Sequence, residues 1–242
     1  MLVETSALSK TYKIGWFKKR FNEAIKEAEI FINEGETVGV IGESGSGKTT
    51  LGHLLTGLLK PDGGRIFFNG KDVTKLTPPE KKDFRRQAQI IFQHPEAAFN
   101  PKWKLIRSLV EPYRLHGIPF TEKILLERLE AVGLYAEHLG RYPSQLSGGE
   151  LQRAAIARVM VLEPKFIVLD EPTSMLDAIT QAQIIRLLEA IQRETGVAYL
   201  FISHDLELAQ LFCRRIYRLV DGKLQEQPTT ARSSKVAGQT GL

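Results

Sequence analysis

Cysteine is nearly absent from these 242 residues: Cys213 stands alone. A single thiol excludes an internal disulfide and any all-cysteine zinc or iron–sulfur centre built by one chain, and it fits a reducing compartment. Long apolar runs are missing too. The longest, at 166–169 and 197–202, are strand length, far short of the ~20 residues that cross a bilayer. Residues 1–13 carry Glu4 and no apolar core, so no signal peptide is expected. Acidic residues are in slight deficit, 28 against 33 Lys and Arg, for a net charge of +5 and a pI near 9.2. That excess is compatible with a nucleic acid, an anionic membrane surface or a nucleotide ligand. Apolar residues at 43% and charged residues at 25% are ordinary for a packed protein and exclude a disordered chain. The length suffices for one large domain or two small ones.

Short apolar runs alternate with helical patterns, the signature of an α/β fold whose strands are buried on both faces. Strands are expected at 37–41, 65–68, 89–92, 166–169 and 197–202, with a turn at Asn69-Gly70. Residues 48–56 read as a helix stopped by Gly57. Residues 24–32 suit a helix by local propensity, but Ile30, Phe31 and Ile32 before Asn33-Glu34-Gly35 favour a strand and turn. From 95 to 145 the texture changes to leucine-spaced helices at 105–115 and 121–132, with prolines and no convincing strand. This reads as a helical subdomain inserted between core segments 1–94 and 146–224, within one domain spanning 1–224. Residues 225–242, rich in Gln, Thr, Ser and Gly, read as a mobile tail.

Gly42-Glu43-Ser44-Gly45-Ser46-Gly47-Lys48-Thr49 fits the strand–GxxxxGK[ST]–helix pattern of a phosphate-binding loop. Its glycines let backbone N–H groups converge on an anion, and the following helix adds the positive end of its dipole. Lys48 would reach the β- and γ-phosphates, and the Thr49 hydroxyl would ligate Mg²⁺. A glycine-rich connection without a ligand is the plainer alternative, but strand and helix flank the loop as the ligand-binding pattern requires. The chain is read as binding a nucleoside triphosphate, with Thr50 completing the set.

The run Phe166-Ile167-Val168-Leu169 closes on Asp170 and Glu171. Beside a phosphate loop, Asp170 is placed to bind Mg²⁺, and Glu171 to act as general base toward the attacking water. Glu171 as a mere cap of the next turn stays open. His204 follows the strand 197–202; a lone histidine is usually structural, but strand ends are where ligands of parallel sheets collect. It is a candidate to contact the γ-phosphate.

Leu146-Ser147-Gly148-Gly149-Glu150 opens a helical run over 151–162 and forms a second surface suited to an anion. With this segment the chain resembles the nucleotide-binding subunit of ABC transporters, from Leu2 to about Lys223. In that family an LSGGQ signature closes over ATP held by another subunit's phosphate loop; Glu150 stands here where Gln is usual. The resemblance implies a P-loop NTPase core of mostly parallel sheet with N-terminal antiparallel strands and an inserted α-helical subdomain. It further implies adenine stacking by Tyr12, Mg²⁺ contact by Gln93, a switch role for His204 and dimer communication by Asp177.

The same resemblance implies an ATPase dependent on ATP and Mg²⁺, its sites shared across a head-to-tail dimer with a second, like or unlike, ATPase subunit. The expected setting is the cytoplasmic face of the cell membrane, with two permease subunits and, indirectly, an extracytoplasmic solute-binding protein. The Asn100-Pro101 pair, Pro172-Thr173-Ser174-Met175-Leu176-Asp177 and Thr180-Gln181-Ala182-Gln183-Ile184 resemble importers of oligopeptides, dipeptides and nickel. The absence of a cysteine-bearing C-terminal extension leans toward the nickel type. Phe99 and Trp103 are the expected contacts to the permease. An ABC ATPase of a soluble assembly such as the carbon–phosphorus lyase complex would share the same site. A nucleic-acid role is not expected, because the basic charge is spread rather than clustered. The run Lys18-Lys19-Arg20 reads as a hairpin tip, either solvated or brushing anionic lipid.

Overall fold

The computed structural model describes residues 1–14 and 20–228. Lys18 and Lys19 of the basic run, and 229–242 of the segment read as a tail, lie outside them.

Three strands carry the continuous apolar runs that burial on both faces demands: β4 (Thr37–Ile41), β8 (Phe166–Asp170) and β9 (Ala198–Ser203), every residue of which is buried. Successive side chains of a strand point to opposite faces. Phe166 and Val168 accordingly join one apolar cluster, with Val38, Leu200 and Leu51, while Ile167 and Leu169 join another, with Phe201, Ile156 and Ile184. The sheet divides two cores. Its order is β11-β10-β4-β9-β8-β7, with β7 at Ala88–Ile91, β10 at Arg215–Val220 and β11 at Lys223–Gln227. All neighbours run parallel except β11, which pairs antiparallel with β10.

One face of this sheet carries α1 (Lys48–Leu55) and a second, antiparallel sheet. That sheet runs β2-β1-β5-β6 over Val3–Ile14 (β1), Arg20–Ala28 (β2), Gly63–Phe68 (β5) and Lys71–Asp72 (β6), with Phe31–Ile32 (β3) also on β1. The strand-and-turn expectation for 24–32 agrees with β2 and β3. The other face carries α3 (Leu105–His116), α4 (Glu122–Ala131), α5 (Gly148–Met160) and α6 (Ala178–Thr195). Among the described residues, 95–145 contain helices and turns but no strand.

The structure departs from sequence expectation in several places. The chain after 224 does not leave the fold at once: Gln225, Glu226 and Gln227 pair with Arg218, Tyr217 and Ile216, because β10 would otherwise expose an unpaired edge. Strand β10 and helix α2 (Pro78–Gln87) had no counterpart among the elements read from the chain, and β1 was expected only without bounds, as one of the N-terminal antiparallel strands that the resemblance implies. Phe99 is a correction of another kind. Expected to face a permease, it is only 5% exposed and packs in the core that holds Leu105 and Leu109. Arg158 explains this: its guanidinium bonds the Ala98 carbonyl and Glu111 and lies 5.9 Å from the Phe99 ring, fixing the segment inward. Trp103 is half-buried, with the Arg107 guanidinium 3.8 Å from its ring centroid.

Candidate functional site

Four adjacent strands, β4, β9, β8 and β7, end at the same edge of the parallel sheet. Their registers align Ile41 with Ser203, Ile202 with Asp170, and Leu169 with Ile91. The residues that follow these ends are therefore forced together: loop 42–49 after β4, His204 after β9, Asp170 and Glu171 at β8, and Gln93 beyond β7. Carboxyl ends of parallel strands are where such folds bind ligands.

The loop between β4 and α1 has no room for side chains at its ends. A Cβ on Gly42 would come 2.6 Å from the Leu219 carbonyl oxygen, and one on Gly47 would come 2.3 Å from that of Ala24. Gly47 also holds φ at 108°, a left-handed value that favours glycine. Lys48, 5% exposed, curls back so that its ammonium donates to the carbonyls of Gly42 and Glu43, each at 2.8 Å. The hydroxyl of Ser46 is buried without a hydrogen-bond partner. A cation held over its own loop and an orphaned hydroxyl are what an anion in the loop would satisfy. Tyr12 of β1 is 38% exposed, its hydroxyl 3.4 Å from that of Thr50 on α1.

Beside the loop, the Thr49 hydroxyl donates to Asp170 Oδ1 at 3.2 Å. Burial pushes the Asp170 carboxyl above its usual range, partly opposed by the Thr49 hydrogen bond and the nearby His53 and Lys48. Hydroxyl and carboxylate oxygens are the hard donors Mg²⁺ takes alongside phosphate. Among the described residues no group of three or more His, Cys, Asp or Glu side chains could hold a metal ion, so the set here is one carboxylate and one hydroxyl that phosphate oxygens would have to complete. The donor set fits ATP and Mg²⁺.

Glu171 turns sharply out of β8: its φ is +47°, while its N–H still bonds the Ile202 carbonyl at 3.0 Å. The turn delivers its carboxylate to Gln93 and His204. Oε2 accepts from Gln93 Nε2 at 3.0 Å and lies 3.3 Å from His204 Nδ1. Gln93 is 78 positions away in the chain, yet it shares one oxygen with His204.

The segment 146–150 stands apart from these hydrogen bonds. Ser147 caps α5 and, with Gly148, is exposed. Glu150 accepts from the Ser147 N–H at 2.7 Å and from its hydroxyl at 2.8 Å, two bonds that hold its carboxyl below the ordinary range. Leu146 is half-buried on the helical core, and a Cβ on Gly149 would come 2.6 Å from the Thr180 methyl. Among the described residues, no hydrogen bond joins 146–150 to 42–49. Asp177 caps α6 by accepting from the Ile179 and Thr180 N–H groups and the Thr180 hydroxyl, which lowers its pKa.

Two features of the site were not read from the sequence. Glu150 Oε1 reaches His138 Nε2 at 3.1 Å and Arg141 at 3.6 Å, a contact no spacing rule announces. Ser174 Oγ stands 3.4 Å from Gln93 Nε2.

Known proteins resemble the chain over most of its length. Residues 25–174 match the family described as ABC transporter. The chain is 42% identical over 223 residues to the nickel import ATP-binding protein NikE of Pseudomonas putida, covering 90% of this chain and 80% of that protein. It is 41% identical over 235 residues to the dipeptide transport ATP-binding protein DppF of Lactococcus lactis, covering 95% and 75%. Among solved structures, the dimeric post-hydrolysis state of the ATP-binding cassette MJ0796 bound to ADP and Pi matches with a TM-score of 0.83 at 31% identity, over 93% of this chain and 98% of that one.

Proposed function

The chain belongs to the ABC transporter family, and on that premise we propose that it binds and hydrolyses ATP for an importer as one half of a head-to-tail pair. The observation that carries the reading is a separation. Lys48, Asp170, Glu171, Gln93 and His204 meet at one sheet edge, while the signature exposes Ser147 and Gly148 and is bonded only within its own neighbourhood. A complete site then needs a signature brought by a second subunit.

In this reading the N–H groups of 44–50 cradle the phosphates, and Lys48 leaves the Gly42 and Glu43 carbonyls for the β- and γ-phosphates. Tyr12 offers its exposed ring to adenine. Thr49, Asp170 and Gln93 would hold Mg²⁺, which would supply positive charge to offset that of the phosphates. Glu171 takes a proton from the attacking water, and His204 orients Glu171 and contacts the γ-phosphate. Ser147 and the N–H groups of Gly148 and Gly149 meet the γ-phosphate bound by the partner subunit, and Asp177 lies at the contact between the two. Pairing excludes water and assembles donors around the transferring group. Loss of the γ-phosphate removes the charge that bridges the pair, so ATP favours the closed state and ADP the open one.

The cargo we assign is a peptide or a nickel or other metal chelate, supported by relatives named for nickel import and dipeptide transport. Among the described residues no helix is long and apolar enough to cross a membrane. Two permease subunits would therefore provide the path, with this chain docked peripherally on their cytoplasmic side and a solute-binding protein beyond them. The segment 95–145, as an inserted subdomain, would carry the contact. With Phe99 turned inward, the groove of about 520 Å³ bounded by Phe92, Pro95, Ala97, Pro112 and Leu115 is the better candidate surface. Nucleic acid has no part in this reading.

Mixing two inactive variants tests the shared site. Lys48→Ala removes one subunit's phosphate grip and Ser147→Arg blocks the other's signature, yet their mixed pair retains one intact composite site. Phosphate release from the mixture, where neither variant alone releases any, is the expected result. A mixture as inactive as its components overturns sharing between copies of this chain. Permeases recovered with the tagged chain from detergent-solubilised membranes would support the importer; recovery with soluble enzymes alone would overturn it.

A further inference from the structure

Glu150 places a carboxylate at the N-terminus of α5, where the proposed reading brings a second subunit's γ-phosphate. Two anions at one helix end repel, and the helix dipole alone offsets roughly half a unit charge. The neighbourhood supplies more. His138, 5% exposed, lies with Nε2 at 3.1 Å from Glu150 Oε1, and Arg141 Nη1 is 3.6 Å from the same oxygen.

The Glu150 carboxylate selects a proton on Nε2 of His138, since a bare Nε2 would set its lone pair against Oε1. Its Nδ1 is 3.0 Å from the Tyr135 N–H and 3.1 Å from the Tyr135 carbonyl oxygen. In the neutral ring Nδ1 accepts from the Tyr135 N–H, which leaves the proton on Nε2 to donate to Glu150. In the charged ring Nδ1 donates to the Tyr135 carbonyl, and Nε2 still donates to Glu150. Either form gives Glu150 a proton-bearing partner from a buried ring. Glu150 Oε1 is thus drawn toward 138–141, and Oε2 remains for the N–H and hydroxyl of Ser147. Ser147 can turn its hydroxyl from Oε2 to an arriving phosphate, while its N–H keeps hold of the carboxylate.

We propose that His138, assisted by Arg141, is a positioning residue for the signature: it binds and offsets the Glu150 carboxylate, so that Ser147 can meet the γ-phosphate of the opposite subunit. The proposal rests on the reading of 146–150 as a signature acting in trans. An amide at 150 would bring no charge to offset, so the need for His138 is specific to Glu150.

A double-mutant cycle on the full chain reads this, with steady-state ATPase assays and thermal melts for every variant. His138→Leu is expected to raise KM for ATP about 5- to 10-fold with kcat changed less than about twofold, since uniform binding of ATP is what is lost. His138→Gln, which keeps a donor, should recover most of that loss. In the Glu150→Gln background, adding His138→Leu should shift KM by less than about twofold. Equal shifts in both backgrounds, or a fall in kcat with KM unmoved, overturn the proposal. If His138→Leu does not fold, Arg141→Met at the more exposed position reads the same cycle, with a KM rise of about two- to threefold expected only beside Glu150; no difference between backgrounds overturns it. Ser147→Arg tells the two possible failures apart. Full activity in that variant sinks the signature reading itself, whereas its inactivity together with a flat cycle sinks only the role of His138.

Discussion

Two glycine-bearing turns in this molecule each open a helix, and they differ in what stands behind them. The loop 42–49 follows a fully buried strand, encloses the ammonium of Lys48, and leaves the Ser46 hydroxyl buried and unbonded. The turn 146–150 exposes Ser147 and Gly148, lacks a lysine, and has its serine already bonded to its own Glu150. Both expose helix N–H groups, yet only the first adds a buried, unbonded hydroxyl and a matched cation. In the proposed reading the first loop grips its ligand alone. The second, with no cation of its own and its serine hydroxyl already bonded, suits a contact made and broken in every cycle.

The sharpest break of that contrast comes from Glu171→Gln. Hydrolysis should fall about 10²- to 10⁴-fold while ATP remains bound, because a general base is lost and the phosphate grip is untouched. Phosphate-release assays beside nucleotide titration would check it, and parallel loss of binding would mean Glu171 belongs to the grip. Next in size is Lys48→Ala, which should weaken ATP binding to the isolated subunit about 100-fold, two charge-assisted contacts being worth about 1.5 kcal/mol each. Ser147→Ala in the same isolated subunit should leave that affinity within about twofold, since one neutral hydroxyl far from the loop is removed; an equal loss would erase the asymmetry.

The glycines offer the finest test. A methyl at Gly42 would meet the backbone oxygen of Leu219, which cannot move alone, so Gly42→Ala should cost about 3 kcal/mol. At Gly149 the obstacle is the Thr180 methyl, and Gly149→Ala should cost about 1 kcal/mol, largely restored by adding Thr180→Ser. That second change keeps a hydroxyl for Asp177, which the Thr180 Oγ1 bonds at 2.6 Å. Denaturant melts of the single and double variants would measure both costs.

What was legible in the chain was whatever is contiguous. β4, β8 and β9 are unbroken apolar runs, and each announced itself within about a residue of its observed bounds. The bounds of β1 were not legible in the residue pattern because its 12 residues are largely polar and its register shifts between Leu8 and Thr11. Helix α2 hid because it buries only Phe84, although Thr77, Pro78 and Glu80 spell a helix start, with the Glu80 carboxylate accepting from the Thr77 N–H at 2.9 Å. β11 hid because Gln-rich composition says nothing about a neighbouring edge in need of pairing.

By itself the sequence determined the chemistry on offer: a phosphate loop at 42–49, carboxylates at 170 and 171, and a serine-glycine turn at 147–149. Each is a short run whose meaning lies in consecutive residue types. Only the tertiary structure decided which of them meet. Parallel pairing of β7 with β8 brings Gln93 to Glu171, and β9 on the other side of β8 brings His204 to the same oxygen. Packing turned Phe99 inward beneath Arg158 and set His138 against Glu150. Those meetings depend on register and burial, which are properties of distant segments packed together and are written in no single stretch of chain.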